Sequence, residues 1–175
     1  MSRADDSPSA GPLSSEIHSA AAEVVEELRR RGATVATAES LTGGLVVAAL
    51  TTVPGSSEVV RGGFCAYHRD VKADVVGVSE EALHGGAVTA RVAEELAAGC
   101  RDRMGADYGI GTTGVAGPAP SDGCDVGTVY IAISGSENGS EWSASRRLWL
   151  TGDRDMIREK TVRESLGMLA ERLSL

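Results

Sequence analysis

The sequence predicts a single α/β domain, a three-layer α/β/α arrangement around a mixed, mostly parallel sheet of about five strands. Two observations carry that prediction. Short apolar runs of strand length recur along the chain, several ending in a turn rich in Gly, Ser or Thr, with helical periodicity between them. Hydrophobic residues make up 42% of the 175 residues and Gly numbers 22, yet aromatics are only 3%. The core is therefore built from Ala, Val, Leu and Ile around tight turns, and the length suits one domain.

Residues 1–13 carry no apolar periodicity and read as a disordered tail, so the domain is placed at 14–175. Ser14 can cap a first helix whose Ile17, Ala20, Ala21, Val24 and Leu28 share a face, and Gly32 ends it after Arg29, Arg30 and Arg31. Residues 32–37 then read as a buried strand, 38–44 as a turn, and 45–50 as an apolar helix. After the break at 53–57, residues 59–67 return as a strand whose Gly62-Gly63 pair suggests a bulge or a close backbone approach.

A short helix is expected over 68–77 and another from Ser79, followed by a well-marked amphipathic helix over 89–104 and a strand over 108–113. Residues 114–118 form a second small-residue turn, and 119–125 a polar loop. The apolar run 126–133 reads as a central strand, and Glu137-Asn138-Gly139 turns it into an antiparallel partner over 142–150. The last helix opens at Gly152-Asp153-Arg154, with Val162, Leu166, Leu169 and Leu173 on its core face.

The formal net charge of −8 argues against a broad nucleic-acid or anionic-membrane surface, though not against a small phosphorylated ligand. Cys65, Cys100 and Cys124 are odd in number and far apart, and His18, His68 and His84 show no ligand spacing, so neither disulfides nor a metal are expected. No apolar stretch is long enough to span a bilayer. A soluble, cytoplasmic protein is the expectation.

The turn at 38–44 concentrates a hydroxyl, a carboxylate and two glycines at a strand-to-helix junction, the edge of an open α/β sheet where ligands bind. Ser, Thr and Gly are also what ordinary helix capping requires there, so the turn alone admits both readings. Lys72 falls one turn into the helix after the next strand and can lie at the same edge. Thr113 and Gly114 begin a turn whose backbone donors can cradle an anion or equally form a plain loop. Arg154 and Arg158 share one side of the last helix, where ion pairing and phosphate binding are both open.

The whole set resembles the C-terminal domain of the competence/damage-inducible CinA proteins, a family that includes stand-alone nicotinamide-nucleotide amidases. The blocks that carry the resemblance are AESLTGG at 38–44, VPGSS at 53–57, RGGFCAY at 61–67 with Lys72 following, GAVT at 86–89, TGVAGP at 113–118, VGTVY at 126–130 and GDR at 152–154. Together they span nearly the whole domain.

The resemblance implies hydrolysis of the carboxamide of nicotinamide mononucleotide to nicotinate mononucleotide and ammonia, in pyridine-nucleotide salvage, with no metal or cofactor. It places the nucleophile at Ser40 and its base at Lys72. Backbone donors of Gly43, Gly44, Thr113 or Gly114 would hold the oxyanion. Glu39, Thr42, Tyr67, Arg69, Thr112, Arg154 and Arg158 would line the substrate site, with Arg154 on the phosphate, Thr42 also capping the helix, and Glu39 orienting Lys72 or a nearby backbone group. A homo-oligomer is implied as well. The larger N-terminal domain of full-length CinA proteins, and its pyrophosphatase activity, have no counterpart in these blocks.

One departure bears on substrate. Characterised amidases tend to read Tyr-Ser-Asn-x-x-Lys, whereas Arg69 here replaces the short amide. Two alternatives accordingly stand beside the amidase: a nucleotide-binding domain without turnover, and an amidase for a different small amide.

Overall fold

Helix α1 (Ser15–Arg31) buries Ile17, Ala21, Val24, Val25 and Leu28 along one face. It closes on Gly32 in the left-handed region, where Gly32 N–H bonds Arg29 O and Ala33 N–H bonds Leu28 O. Ser14 sits at the cap position, but its hydroxyl makes no capping bond. The computed structural model describes residues 13–174, so the expected tail over 1–13 lies outside them except for Leu13, which packs against the core.

The remaining elements follow in the expected order: β1 (Val35–Glu39), α2 (Leu45–Thr51), β2 (Val60–Cys65), a π-helical turn (Val71–Val76), α3 (Glu80–Leu83), α4 (Ala90–Met104), β3 (Tyr108–Gly114), β4 (Thr128–Glu137), β5 (Ser140–Trp149) and α5 (Arg154–Leu173). They form one sheet in the order β2-β1-β3-β4-β5. The sheet is mixed: β2, β1 and β3 run parallel, whereas β4 and β5 join antiparallel. The division has a local cause. The link from β3 to β4 carries no helix to return the chain as a parallel crossover, and Asn138, in the left-handed region, turns β4 directly into β5.

One face of the sheet packs against α1, α2 and α5 through a core that includes Leu28, Leu50, Ile110, Ile131, Ile133, Leu166 and Leu169. The other face packs against α3 and α4 through Val76, Leu83, Val92, Leu96 and Cys100. The alternation Gly109-Ile110-Gly111 explains how closely α4 approaches: a Cβ on Gly109 would sit 1.9 Å from Ala97 O, and one on Gly111 would sit 2.2 Å from Ala93 O. Only glycine permits that contact, so the strand reads Ile toward one layer and bare backbone toward the other.

Because β1, β2 and β3 are parallel, their C-terminal ends lie at one sheet edge. The segments that follow them, Ser40 onward, Ala66-Tyr67 and Val115 to Pro118, therefore gather there. Helix α5 starts at the same edge, with Arg154 bonded to Gly117 O and Tyr67 Oη.

Candidate active site

Ser40 follows the last residue of β1, and its N–H continues the parallel ladder by bonding Thr112 O at 3.0 Å. The chain then turns away, because Ser40 O accepts Gly43 N–H at 3.1 Å instead of the next rung from β3. The turn is organised by Glu39, whose side chain is fully buried. Its carboxyl oxygens accept the N–H groups of Gly44, Val46 and Val47 at 2.9–3.0 Å and the Thr37 hydroxyl at 3.1 Å. A carboxyl group at the positive end of a helix satisfies donors that would otherwise be orphaned. Glu39 thus caps α2 and neither lines the substrate site nor touches Lys72.

This changes several expectations. Thr42 does not cap α2; its hydroxyl pairs with that of Thr112 at 2.8 Å, and both residues are buried, so neither hydroxyl is free for a ligand. The amides of Gly43 and Gly44 are taken by Ser40 O and Glu39, so neither is free for an oxyanion. Thr113 is also committed: its hydroxyl donates to Ala87 O, and its amide faces β4, since Val115 N–H bonds Thr128 O two residues on. Gly114 alternates to the other side. Its amide faces the position that β1 vacates at Ser40 and makes no bond to Ser40 O, so of the four expected donors it is the one left at the site. The amides of Leu41 and Thr42, directly after Ser40, likewise donate to nothing among the described residues.

Lys72 comes from the π-helical turn after β2. It is 2% exposed, and its Nζ lies 3.0 Å from Ser40 Oγ, 2.7 Å from Ala66 O and 3.2 Å from Tyr67 O. Among the described residues no carboxylate lies within 4 Å of that nitrogen. Burial pushes the Lys72 pKa below the usual lysine value of 10.5, with the charges of Asp122 and Cys65 pulling weakly the other way. A neutral amine has two N–H donors and one lone pair. As an ammonium Lys72 donates to all three oxygens, Ser40 Oγ, Ala66 O and Tyr67 O; once neutral, it keeps the two carbonyls as acceptors and turns its lone pair to the Ser40 hydroxyl.

Tyr67 connects this pair to the rim. Its carbonyl holds Lys72, while its exposed phenol bonds the Arg154 guanidinium at 2.9 Å. Arg154 also donates to Gly117 O at 2.8 Å, which fixes a cation at the mouth without a carboxylate partner among the described residues. Arg158 is different: Nε and a terminal nitrogen bond Leu41 O and Thr42 O, each at 3.1 Å, so it fastens α5 to the Ser40 turn and does not present a free charge. Arg69 also departs from expectation. Its guanidinium turns to α3, bonding Leu83 O at 2.7 Å and Glu80 at 3.4 Å, and so does not flank the Ser40–Lys72 pair.

Residues 17–173 match the model of the CinA C-terminal domain. The chain belongs to that family. A CinA-like protein of Frankia casuarinae is 45% identical over 148 residues, covering 84% of this chain and 33% of that protein. A putative competence-damage inducible protein of a Geobacillus species is 46% identical over 151 residues, covering 86% of this chain and 36% of its own length. The chain thus spans about a third of these CinA relatives. Among solved structures, a competence/damage inducible protein of Agrobacterium tumefaciens superposes with a TM-score of 0.85 at 36% identity, covering 93% of this chain and 98% of that one. A CinA superfamily protein of Klebsiella pneumoniae gives 0.84 at 31% identity, covering 90% and 98%.

Within this CinA domain the main-chain groups were the part that residue types do not announce. Ala66 O and Tyr67 O hold the lysine, and the Leu41 and Thr42 amides lie free, yet no side-chain pattern marks any of them. The position of Glu39 directly before Ser40, ahead of a helix whose N-cap residue, Gly44, has no side chain to cap it, is the signal that identifies it as the cap. Among the described residues no cluster of three or more His, Cys, Asp or Glu is arranged to hold a metal, and no helix is long and apolar enough to cross a membrane.

Proposed function

We propose that this domain is a nicotinamide-nucleotide amidohydrolase that works through a Ser40–Lys72 pair. The observation that carries the reading is the 3.0 Å contact between Ser40 Oγ and a buried lysine nitrogen whose pKa is lowered and which, among the described residues, has no carboxylate in contact with it. A domain that only bound nucleotide would gain nothing from desolvating a lysine against a hydroxyl, because the burial costs stability.

In this mechanism Ser40 Oγ attacks the carboxamide carbon while its proton passes to the Lys72 amine. The carbonyl oxygen becomes an oxyanion, for which the amides of Leu41, Thr42 and Gly114, unbonded among the described residues, are the candidate donors. The Lys72 ammonium then protonates the departing nitrogen, the C–N bond breaks, and ammonia leaves an ester on Ser40. Lys72, again neutral, takes a proton from water as its oxygen attacks that ester. Collapse returns the proton to Ser40 and releases the carboxylate product. Arg154 at the rim is the cation suited to the substrate phosphate.

The case for a different small amide rested on Arg69 entering the pocket, and its engagement with Leu83 O and Glu80 removes that reason. Ammonia release from nicotinamide mononucleotide, compared among the native chain, Ser40→Ala and Lys72→Ala, tests the reading. A native chain that binds the nucleotide but releases no ammonia is a binding domain, and the amidase reading is then lost.

A further inference from the structure

The turn after Ser40 carries two buried main-chain donors without acceptors among the described residues. Ser40 N–H bonds Thr112 O, and Ser40 O accepts Gly43 N–H. The carbonyls of Leu41 and Thr42 accept Nε and a terminal nitrogen of Arg158, each at 3.1 Å. The amides of the same two residues donate to nothing among the described residues, although Leu41 is 4% exposed and Thr42 is fully buried. Buried main-chain donors are nearly always paired, because burial strips them of water. Two consecutive unpaired ones, directly after the serine that faces Lys72, are donors kept for a ligand group.

What aims them lies on the opposite side of the same peptide groups. In a trans peptide the carbonyl and the N–H point in opposite directions. Leu41 O and Thr42 N–H belong to one trans peptide, so a partner that holds Leu41 O turns Thr42 N–H away from itself. That partner, Arg158, comes from α5, in the layer that shares its core with α1 and α2. Ser40 Oγ lies on the other face of the sheet. Ala36 and Ala38 pack toward α4, Ser40 keeps their parity because its N–H continues the ladder, and it meets Lys72 there. Thr42 N–H is thus directed from the α5 layer toward the face that carries the nucleophile.

Arg158 supplies charge as well as direction. A guanidinium is always ionised, and among the described residues the carboxylate within 4 Å of this one is Asp155, at 3.5 Å and 90% exposed, where solvent screens the pair. A cation on a peptide carbonyl polarises the N–H of the same peptide, and in a buried turn its field is weakly screened. Glu39 acts in the opposite sense, since its buried carboxyl group caps α2 at Gly44, Val46 and Val47. Without Arg158, an oxyanion at Ser40 would form beside an acidic cap with no cation on the turn.

We propose that Arg158 is a positioning residue for amide hydrolysis: it holds the Leu41–Thr42 peptide so that Thr42 N–H receives the oxyanion formed at Ser40, and its charge strengthens that donor. The inference rests on the amidase reading and adds to it the donor and the side chain that aims it. Arg154 and Arg158, one turn apart on α5, then serve different steps, Arg154 the phosphate and Arg158 the reacting carbonyl.

Ammonia release from nicotinamide mononucleotide by the native chain, Arg158→Ala and Arg158→Lys tests this, with circular dichroism to confirm folding. Arg158→Ala is expected to lower kcat about 10²-fold with KM within about threefold, as for loss of an oxyanion donor. Arg158→Lys, which keeps the charge and can reach one carbonyl, is expected to recover about tenfold of that loss. The second readout is inhibition by the aldehyde analogue of the nucleotide. Ser40 Oγ adds to the aldehyde carbon, its proton passes to Lys72, and the carbonyl electron pair becomes an alkoxide where the oxyanion would form. Aldehyde affinity is expected to fall across the variants in proportion to kcat/KM.

A native chain that releases no ammonia overturns the amidase reading and this inference with it. With native turnover present, a folded Arg158→Ala chain that keeps the native kcat overturns this inference alone. So does one in which KM rises and kcat does not, which would put Arg158 on the phosphate, or one in which kcat falls while aldehyde affinity is unchanged. If Arg158→Ala does not fold, Arg158→Lys decides: kcat and aldehyde affinity are expected to fall together with KM held, and any other pattern overturns the proposal.

Discussion

Lys72 Nζ reaches Ser40 Oγ across 3.0 Å while two main-chain carbonyls, Ala66 O and Tyr67 O, hold it from the other side. The base is thus positioned by backbone that continues directly from β2, and the nucleophile by backbone that continues from β1. Pairing of adjacent parallel strands sets the distance between them.

Removing either member of the pair is expected to abolish turnover. Ser40→Ala and Lys72→Ala are each expected to lower kcat for ammonia release by about 10³-fold or more, and the double variant by little beyond either single one, because the two act as a unit. Nucleotide affinity, measured by calorimetry, is expected to change much less. Additive losses in the double variant would argue against a shared proton transfer.

The lowered Lys72 pKa fixes the sign of two pH effects. Activity needs the neutral amine, so kcat/KM is expected to rise about tenfold per pH unit on the acid side and level off above the Lys72 pKa, itself below 10.5. Asp122→Asn removes a charge that favours the ammonium, and the acid limb is expected to move to lower pH. For stability, the unfolded chain binds more protons than the native one between the lowered folded pKa and the ordinary value. Native stability relative to Lys72→Met is therefore expected to increase as pH rises through that window. Thermal melts of both proteins across that range check the sign, and a flat difference would sink the assignment.

Much of this was legible from residue types. Gly32, Gly105 and Asp153 end or begin helices where their chemistry requires, and the apolar periods of α1, α4 and α5 locate the core. The direction of each polar side chain was not legible. Arg69 and Arg154 are both arginines near one sheet edge, yet Leu83 O draws one to α3 while Gly117 O and Tyr67 Oη hold the other at the site. Glu39 and Thr42 read as pocket residues because sequence does not show that the amides of α2 and the Thr112 hydroxyl claim them first. The free amide of Gly114 depends on strand parity, which no residue type encodes.

Glu39→Gln tests the cap. The amide offers one acceptor oxygen where the carboxyl group offers two, so its NH₂ faces either the Gly44 and Val46 amides or the Val47 amide and the Thr37 hydroxyl. A loss of about 2–3 kcal/mol is expected from the unsatisfied buried donors, lowering Tm by roughly 5–10 °C. Because the turn carries Ser40, kcat is expected to fall as well, with KM less affected. An unchanged Tm would show that the cap is not what orders the turn.

Gly111→Ala tests the close packing of α4 on β3. Its Cβ would lie 2.2 Å from Ala93 O and 2.7 Å from Ala97 N, both backbone atoms within a helix that cannot yield locally. A destabilisation of about 3 kcal/mol or more is expected, seen as a lowered urea midpoint or loss of soluble protein. Gly167, on α5 with nothing within 4 Å of its added Cβ, is the matched control. There Ala is expected to stabilise by about 0.5–1 kcal/mol through helix propensity.

The two arginines make the sharpest comparison. Arg154 is exposed and held by Gly117 O and the Tyr67 hydroxyl, with no carboxylate partner among the described residues, so its charge is available to a phosphate. Arg154→Ala is expected to raise KM for nicotinamide mononucleotide at least tenfold, equivalent to about 1.4 kcal/mol or more of lost binding, with Tm little changed. The effect is expected to shrink for the nucleoside, which lacks the phosphate. Arg69→Ala removes a contact to Leu83 O and an exposed pair with Glu80, so KM is expected to stay within about twofold, exposed pairs being worth under 1 kcal/mol. If Arg69→Ala instead raised KM and Arg154→Ala did not, the phosphate would lie on the π-helical side of the site, and the substrate would have to be turned around in it.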